Sequence, residues 1–136
     1  MTDDQFLEAF EACSIPNTEF HHRDHLRLVL LYIQRYGPAG AATRIGESIR
    51  RYAAHHGKPD KYNETVTQAW LQLVHAAVSE TPGTTLDQLV AAHPDLLDKH
   101  TLERYYWRDL LNSEAARLTF VPPDRSPLPA PASVEC

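Results

Sequence analysis

Phe6, Leu7 and Phe10 recur at helical spacing in DDQFLEAFEAC, behind two aspartates that suit a helix N-terminus, so residues 3 to 13 are expected to form a first helix. Ile15-Pro16-Asn17 breaks it, and Asn17 or Thr18 is placed to cap a second. That second segment carries the most apolar run of the chain, LRLVLLYI, with Leu26, Val29, Leu30 and Ile33 on one stripe. Gly37-Pro38 ends it near Tyr36, and Pro38 suits the first turn of a third helix that Gly57-Lys58-Pro59 stops. Asn63 can cap a fourth, ETVTQAWLQLVHAAVS, whose Val66, Trp70, Leu73 and Ala77 share a stripe. A shorter fifth helix follows Thr84 or Thr85, and TLERYYWRDLL and SEAARLTF read as two short final ones.

No stretch alternates apolar and polar residues between turn signals, and no period repeats. The expected fold is therefore all-α, a compact bundle of four main helices plus short C-terminal helices. From Val121 the chain turns to PPDRSPLPAPASVEC, which holds five of the ten prolines and cannot continue a helix. Residues 1–121 are thus expected to form one helical domain and 122–136 an extended proline-rich tail.

Composition narrows the function classes. A chain of 136 residues fits one domain, and its net charge of −5, without a basic run, argues against a nucleic-acid partner. The apolar run at Leu28 to Ile33 is far shorter than the roughly 20 residues a membrane span needs, so no membrane partner is expected. The acidic N-terminus lacks the apolar core of a leader peptide. Cys13 and Cys136 lie at opposite ends, which speaks against a disulfide framework and for a cytoplasmic location.

Eight histidines are the anomaly, and three of them crowd EFHHRDHL at the mouth of the apolar helix. Extending the Leu26/Val29/Leu30/Ile33 stripe backwards turns His22 and His25 inward, leaves His21 at the margin and turns Arg23 and Asp24 outward. Two imidazoles at i and i+3 can converge on one divalent ion, and a carboxylate would complete a two-His-one-carboxylate set with open positions. Glu64 in KYNET is the best donor, with His21 as an extra ligand. Histidines near a helix start also satisfy backbone groups, and a structural role for His22 and His25 stands beside the metal-binding one.

Other chemistry-bearing residues gather around this candidate. Tyr62 and Glu64 sit in the polar loop HHGKPDKYNET, which reads equally as a solvated loop before a capped helix. Tyr105 could orient a substrate, and Arg117 could hold a carboxylate or phosphate, or pair with Glu114 or Asp124. Cys13 could form a nucleophilic pair with a histidine, although its place on an apolar helix suits the core. There is no glycine-rich phosphate loop, no G-x-S-x-G, no H-E-x-x-H and no paired C-x-x-C.

FHHRDHLRL, KYNETVTQAW, PDLLDKHTLERYYW and SEAARLTFVPPDRSPLP together resemble a family of small bacterial all-helical proteins marked by HRDH, KYHET and closing PDR-x-PLP stretches. The resemblance runs from Phe6 to Pro129. It implies that His22, Asp24, His25, Tyr62, Glu64, Thr65, Tyr105, Arg117 and Asp124 occupy the family's marked positions, and it names no reaction. Asn63 stands where the family has histidine, so if that histidine is a ligand in the family, this chain has lost one or His21 substitutes for it.

The leading expectation is a small cytoplasmic metal-dependent enzyme with a small-molecule substrate, allowing a homodimer. His22, His25, Glu64 and His21 would hold the metal, and Glu64, Tyr62, Tyr105 and Arg117 would act on the substrate. Zinc, the first choice, would make the chemistry hydrolytic or lyase-like; iron or copper would make it oxidative. The alternative is a non-catalytic helical binding or accessory module whose histidines are structural. Metal-free acid/base chemistry by His25 with Glu64 is a third reading.

Overall fold

The computed structural model describes residues 1–129, and among them every regular element is helical. Helix α1 (Asp3–Glu11) starts with a reciprocal cap: Thr2 Oγ1 accepts from the Gln5 amide at 3.1 Å, and Gln5 Oε1 accepts from the Thr2 amide at 2.9 Å. Phe6, Leu7 and Phe10 are buried. The helix ends before Cys13, which takes a left-handed φ of 59° and is itself buried.

Helix α2 (His22–His55) begins later than Asn17 or Thr18 would have it, because residues Asn17–Glu19 instead make a single 3-10 turn. The start is closed by Asp24, whose carboxylate accepts from the His21 amide at 3.0 Å. Inside α2, Gly37 has φ 74° and ψ 169°, so the element is two helical arms, 22–36 and 38–55, meeting at the expected Gly-Pro break. α1 packs on this element, and Tyr32 ties the pieces together. Its buried hydroxyl donates to Glu11 at 2.6 Å and lies 2.8 Å from Ser48 Oγ on the second arm.

Helix α3 (Glu64–Glu80) is the main partner of α2. Asn63 caps it, accepting from the Val66 amide at 2.9 Å and donating to the Leu111 carbonyl at 2.8 Å. Helix α4 (Leu86–Ala92) follows with its own Thr85/Gln88 cap, and then come 3-10 turns at Pro94–Leu97 and Thr101–Arg104. The core is centred on Phe10, Leu26, Val29, Tyr32, Ile45, Val74, Leu89 and Tyr106. No helix of the described residues is long and apolar enough to cross a membrane.

The C-terminal part departs from the helical spacing. TLERYYWRDLL is not one helix: after the 3-10 turn, Trp107 is extended and a short α5 (Arg108–Leu111) begins. The tail is the cause. The Arg125 and Ser126 amides donate to the Tyr105 carbonyl at 2.9 and 3.2 Å, and the Asp124 carboxylate accepts from the Trp107 amide at 2.8 Å. The tail thus takes the backbone groups a continuous helix would have used itself. Arg125 also lies over the Trp107 ring at 4.3 Å. Asp124→Ala is expected to cost about 1 kcal/mol, as for loss of an N-cap, and to alter Trp107 fluorescence; urea titration checks both.

Helix α6 (Glu114–Leu118) is capped by Ser113 and is shorter than SEAARLTF because Thr119 is extended. Buried Thr65 accounts for that. Its hydroxyl donates to the Thr119 carbonyl at 2.8 Å and accepts from the Val121 amide at 3.0 Å. The rest of the expected tail, including Cys136, lies outside the described residues.

Candidate functional site: an arginine-lined cleft beside Glu64

His22 is partly buried, its Nε2 is 2.8 Å from the Leu96 carbonyl, and its ring stands edge-on to Trp70 with centroids 4.7 Å apart. A carbonyl only accepts, so Nε2 carries the proton and donates. His25 is partly buried too, edge-on to Phe20, which itself packs on Phe10 and Tyr52. Desolvation, with a smaller push from the charge of His22, lowers the His25 imidazole to about 4, so it is neutral near neutral pH. His21 is exposed. Asp24 is engaged with the His21 amide, while Arg23 pairs with Asp87 and Arg27 with Asp3.

Glu64 lies in a different setting. It is the first residue of α3, and its Oε1 accepts a short hydrogen bond from the Tyr62 hydroxyl and another from Arg50 at 3.0 Å. The Arg50 guanidinium also lies over the Tyr62 ring, 4.8 Å from its centroid. Burial, and then the bond to Glu64, push the Tyr62 phenol well above its ordinary value, so it keeps its proton and acts as a donor. Among the described residues no three His, Cys, Asp or Glu side chains are close enough to hold a metal ion. His22, His25, His21 and Glu64 are therefore not gathered into one ligand set.

What the structure does gather is Tyr62, Glu64 and Arg117 around Arg50. Arg50, Tyr62 and Arg117 line a cavity of about 300 Å³ together with Ala54, Pro59 and Leu118. Arg50 and Glu64 also line an adjoining cleft of about 570 Å³ with Thr43, Gln68, Gln72 and Phe120. Arg117 is partly buried and its side chain makes no hydrogen bond or ion pair with a described residue; neither Glu114 nor Asp124 takes it. Tyr105 is elsewhere, lining a cavity of about 240 Å³ with His93, Asp95, Thr101 and Arg104.

Arg50 and Gly46 are the members that sequence reasoning passed over. Gly46 is one turn before Arg50 on the second arm of α2, and a Cβ there would come within 3.2 Å of the Tyr62 hydroxyl and 3.6 Å of Glu64 Oε1. The available signal was a glycine inside a helical segment, which costs about 1 kcal/mol relative to alanine and can mark a close approach. Gly46→Ala is accordingly expected to change stability by less than about 1 kcal/mol, since helix propensity offsets the crowding. Its effect should fall on the Tyr62–Glu64–Arg50 geometry, read from the Tyr62 side-chain resonances in NMR spectra.

Comparison with known proteins adds no assignment: no family model matches the chain, and no curated protein or solved structure matches it.

Proposed function

We propose that this protein is a helical small-molecule-binding module whose ligand carries an anionic group, held at Arg117 beside the Arg50–Glu64 pair. The observation that carries this reading is Arg117, a partly buried guanidinium with no described partner, sharing a cavity with Arg50. A guanidinium fork matches carboxylate or phosphate oxygens, and charge-assisted bonds of that kind are the strong ones. Glu64 and Tyr62 hold Arg50 in place rather than facing the histidines. His22, bonded to the Leu96 carbonyl, supports a structural role for the histidine cluster. The family resemblance marks Tyr62, Glu64 and Arg117 among its positions and fits this reading, while assigning no reaction.

Thermal unfolding of the full chain with inorganic phosphate, acetate or succinate, at constant ionic strength against chloride, tests the reading. At least one anion should raise the transition temperature, and Arg50→Ala and Arg117→Ala should each remove the rise. An unchanged wild-type transition in all three would overturn it. The metal-dependent enzyme is tested alongside by metal analysis of untagged protein. Stoichiometric zinc, iron or copper that disappears in the His22→Ala/His25→Ala double variant would decide for that reading instead.

A further inference from the structure

Two exposed apolar side chains stand beside the arginines. Leu118 is 56% exposed and Phe120 38%, and both lie on the short run that follows Arg117. Thr65 holds the backbone of Thr119 and Val121, which fixes this run against the start of α3 and leaves Leu118 and Phe120 toward solvent. Leu118 lines the smaller cavity with Arg50 and Arg117, and Phe120 lines the adjoining cleft with Arg50 and Glu64. A single exposed leucine means little. Here Leu118 shares the smaller cavity with the unpartnered Arg117 side chain, and its lining continues with Ala54, Pro59 and the Tyr62 ring, while Phe120 lies across Arg50 in the adjoining cleft.

The charge of the site limits the head group. Arg50 is already matched by Glu64, so in the smaller cavity only Arg117 lacks a counter-charge, while the adjoining cleft carries Glu47 besides Glu64. One surplus positive charge suits a monoanion better than a dianion, and the planar fork of Arg117 suits a carboxylate. The volume limits the rest. About 300 Å³ is at the lower end of small-molecule sites, which run from roughly 300 to 1,000 Å³, and so suits a small acid rather than a nucleotide.

Resting on the anion-site reading above, we propose that the ligand is an amphipathic monocarboxylate. Its carboxylate lies on Arg117, its apolar body packs on Leu118, Ala54, Pro59 and the Tyr62 ring, and a longer body extends past Arg50 toward Phe120. No bond is made or broken in this step. The Tyr62 hydroxyl, committed to Glu64, positions Arg50 and leaves the carboxylate to Arg117.

The test is calorimetric titration of the full chain with octanoate, acetate, inorganic phosphate and the neutral control octanol. Octanoate should bind at least ten-fold more tightly than acetate or phosphate, with no binding of octanol. Arg117→Ala should lower octanoate affinity ten-fold or more. Leu118→Ser, at an exposed position that does not threaten folding, should lower octanoate affinity several-fold and leave acetate unchanged. Arg117→Lys keeps the charge without the fork, and its affinity should fall between wild type and alanine, which separates ligand loss from misfolding. Acetate and phosphate binding as tightly as octanoate, all dependent on Arg117, would overturn the amphipathic ligand and leave the anion site standing. Absence of any anion binding, or octanoate binding indifferent to Arg117→Ala and Arg117→Lys, would overturn both.

Discussion

Between pH 7 and pH 5 the chain is expected to lose about 2 kcal/mol of stability through His25 alone. The folded imidazole titrates at about 4 against 6.5 when unperturbed, chiefly because the ring is desolvated. Between those values the unfolded chain binds a proton that the folded chain refuses, so stability falls as pH falls. The contribution is fully present above the unfolded pKa, and the loss grows to about 3 kcal/mol near pH 4. Acid also titrates carboxylates, so the measurement is a difference: urea unfolding of wild type and His25→Gln at pH 7, 6 and 5, with chelator present. The wild type should lose about 2 kcal/mol more than the variant by pH 5. Parallel losses would show that His25 charges in the folded state at no extra cost.

Thr65→Val is expected to destabilise the fold by about 2 kcal/mol, although it exchanges side chains of almost the same shape. The hydroxyl is the shared partner of the Thr119 carbonyl and the Val121 amide, and valine leaves both unmatched. An unsatisfied buried group costs about 1–3 kcal/mol, and the partial exposure of the tail lets water recover some of the two penalties. Thr65→Ser keeps the hydroxyl and should retain most of the stability. Chemical denaturation of the pair isolates the hydroxyl from the methyl group. Equal midpoints for the valine and serine variants would mean that the tail is held by packing alone.

The parts of this molecule that were legible in advance are those set by neighbours in sequence. Leu26, Val29, Leu30 and Ile33 are buried as their spacing requires, and Gly37-Pro38 interrupts the helix because glycine takes the positive φ there and proline opens the next turn. Asn63 and Thr85 cap where their side chains can reach an amide three residues on. TLERYYWRDLL was not legible, since the groups that break it belong to Asp124, Arg125 and Ser126, far along the chain. The site divides in the same way. The helical wheel could turn His22 and His25 toward the interior, but no pattern on α2 could say that His22 meets a carbonyl of the Pro94–Leu97 turn. Tyr62 and Glu64 were visible as a loop cluster, whereas nothing in the sequence set Arg50 apart from the other charges of its helix. Only the packing of the second arm of α2 against the start of α3 makes it their partner.

The hydrogen bond from His22 to Leu96 joins residues 74 positions apart. Contacts of that separation carry a large loop-closure entropy, whereas the helices and the α1–α2 and α2–α3 pairings form from segments near each other in the chain. The clasp is therefore expected to form late, after the helices have docked, and to be absent from the folding transition state. Losing it should leave the refolding rate almost unchanged and put the whole penalty on unfolding. In stopped-flow experiments His22→Ala should steepen escape from the native state while the refolding arm overlays that of wild type. His22 is then a determinant of how long the folded molecule lasts rather than of how quickly it is reached.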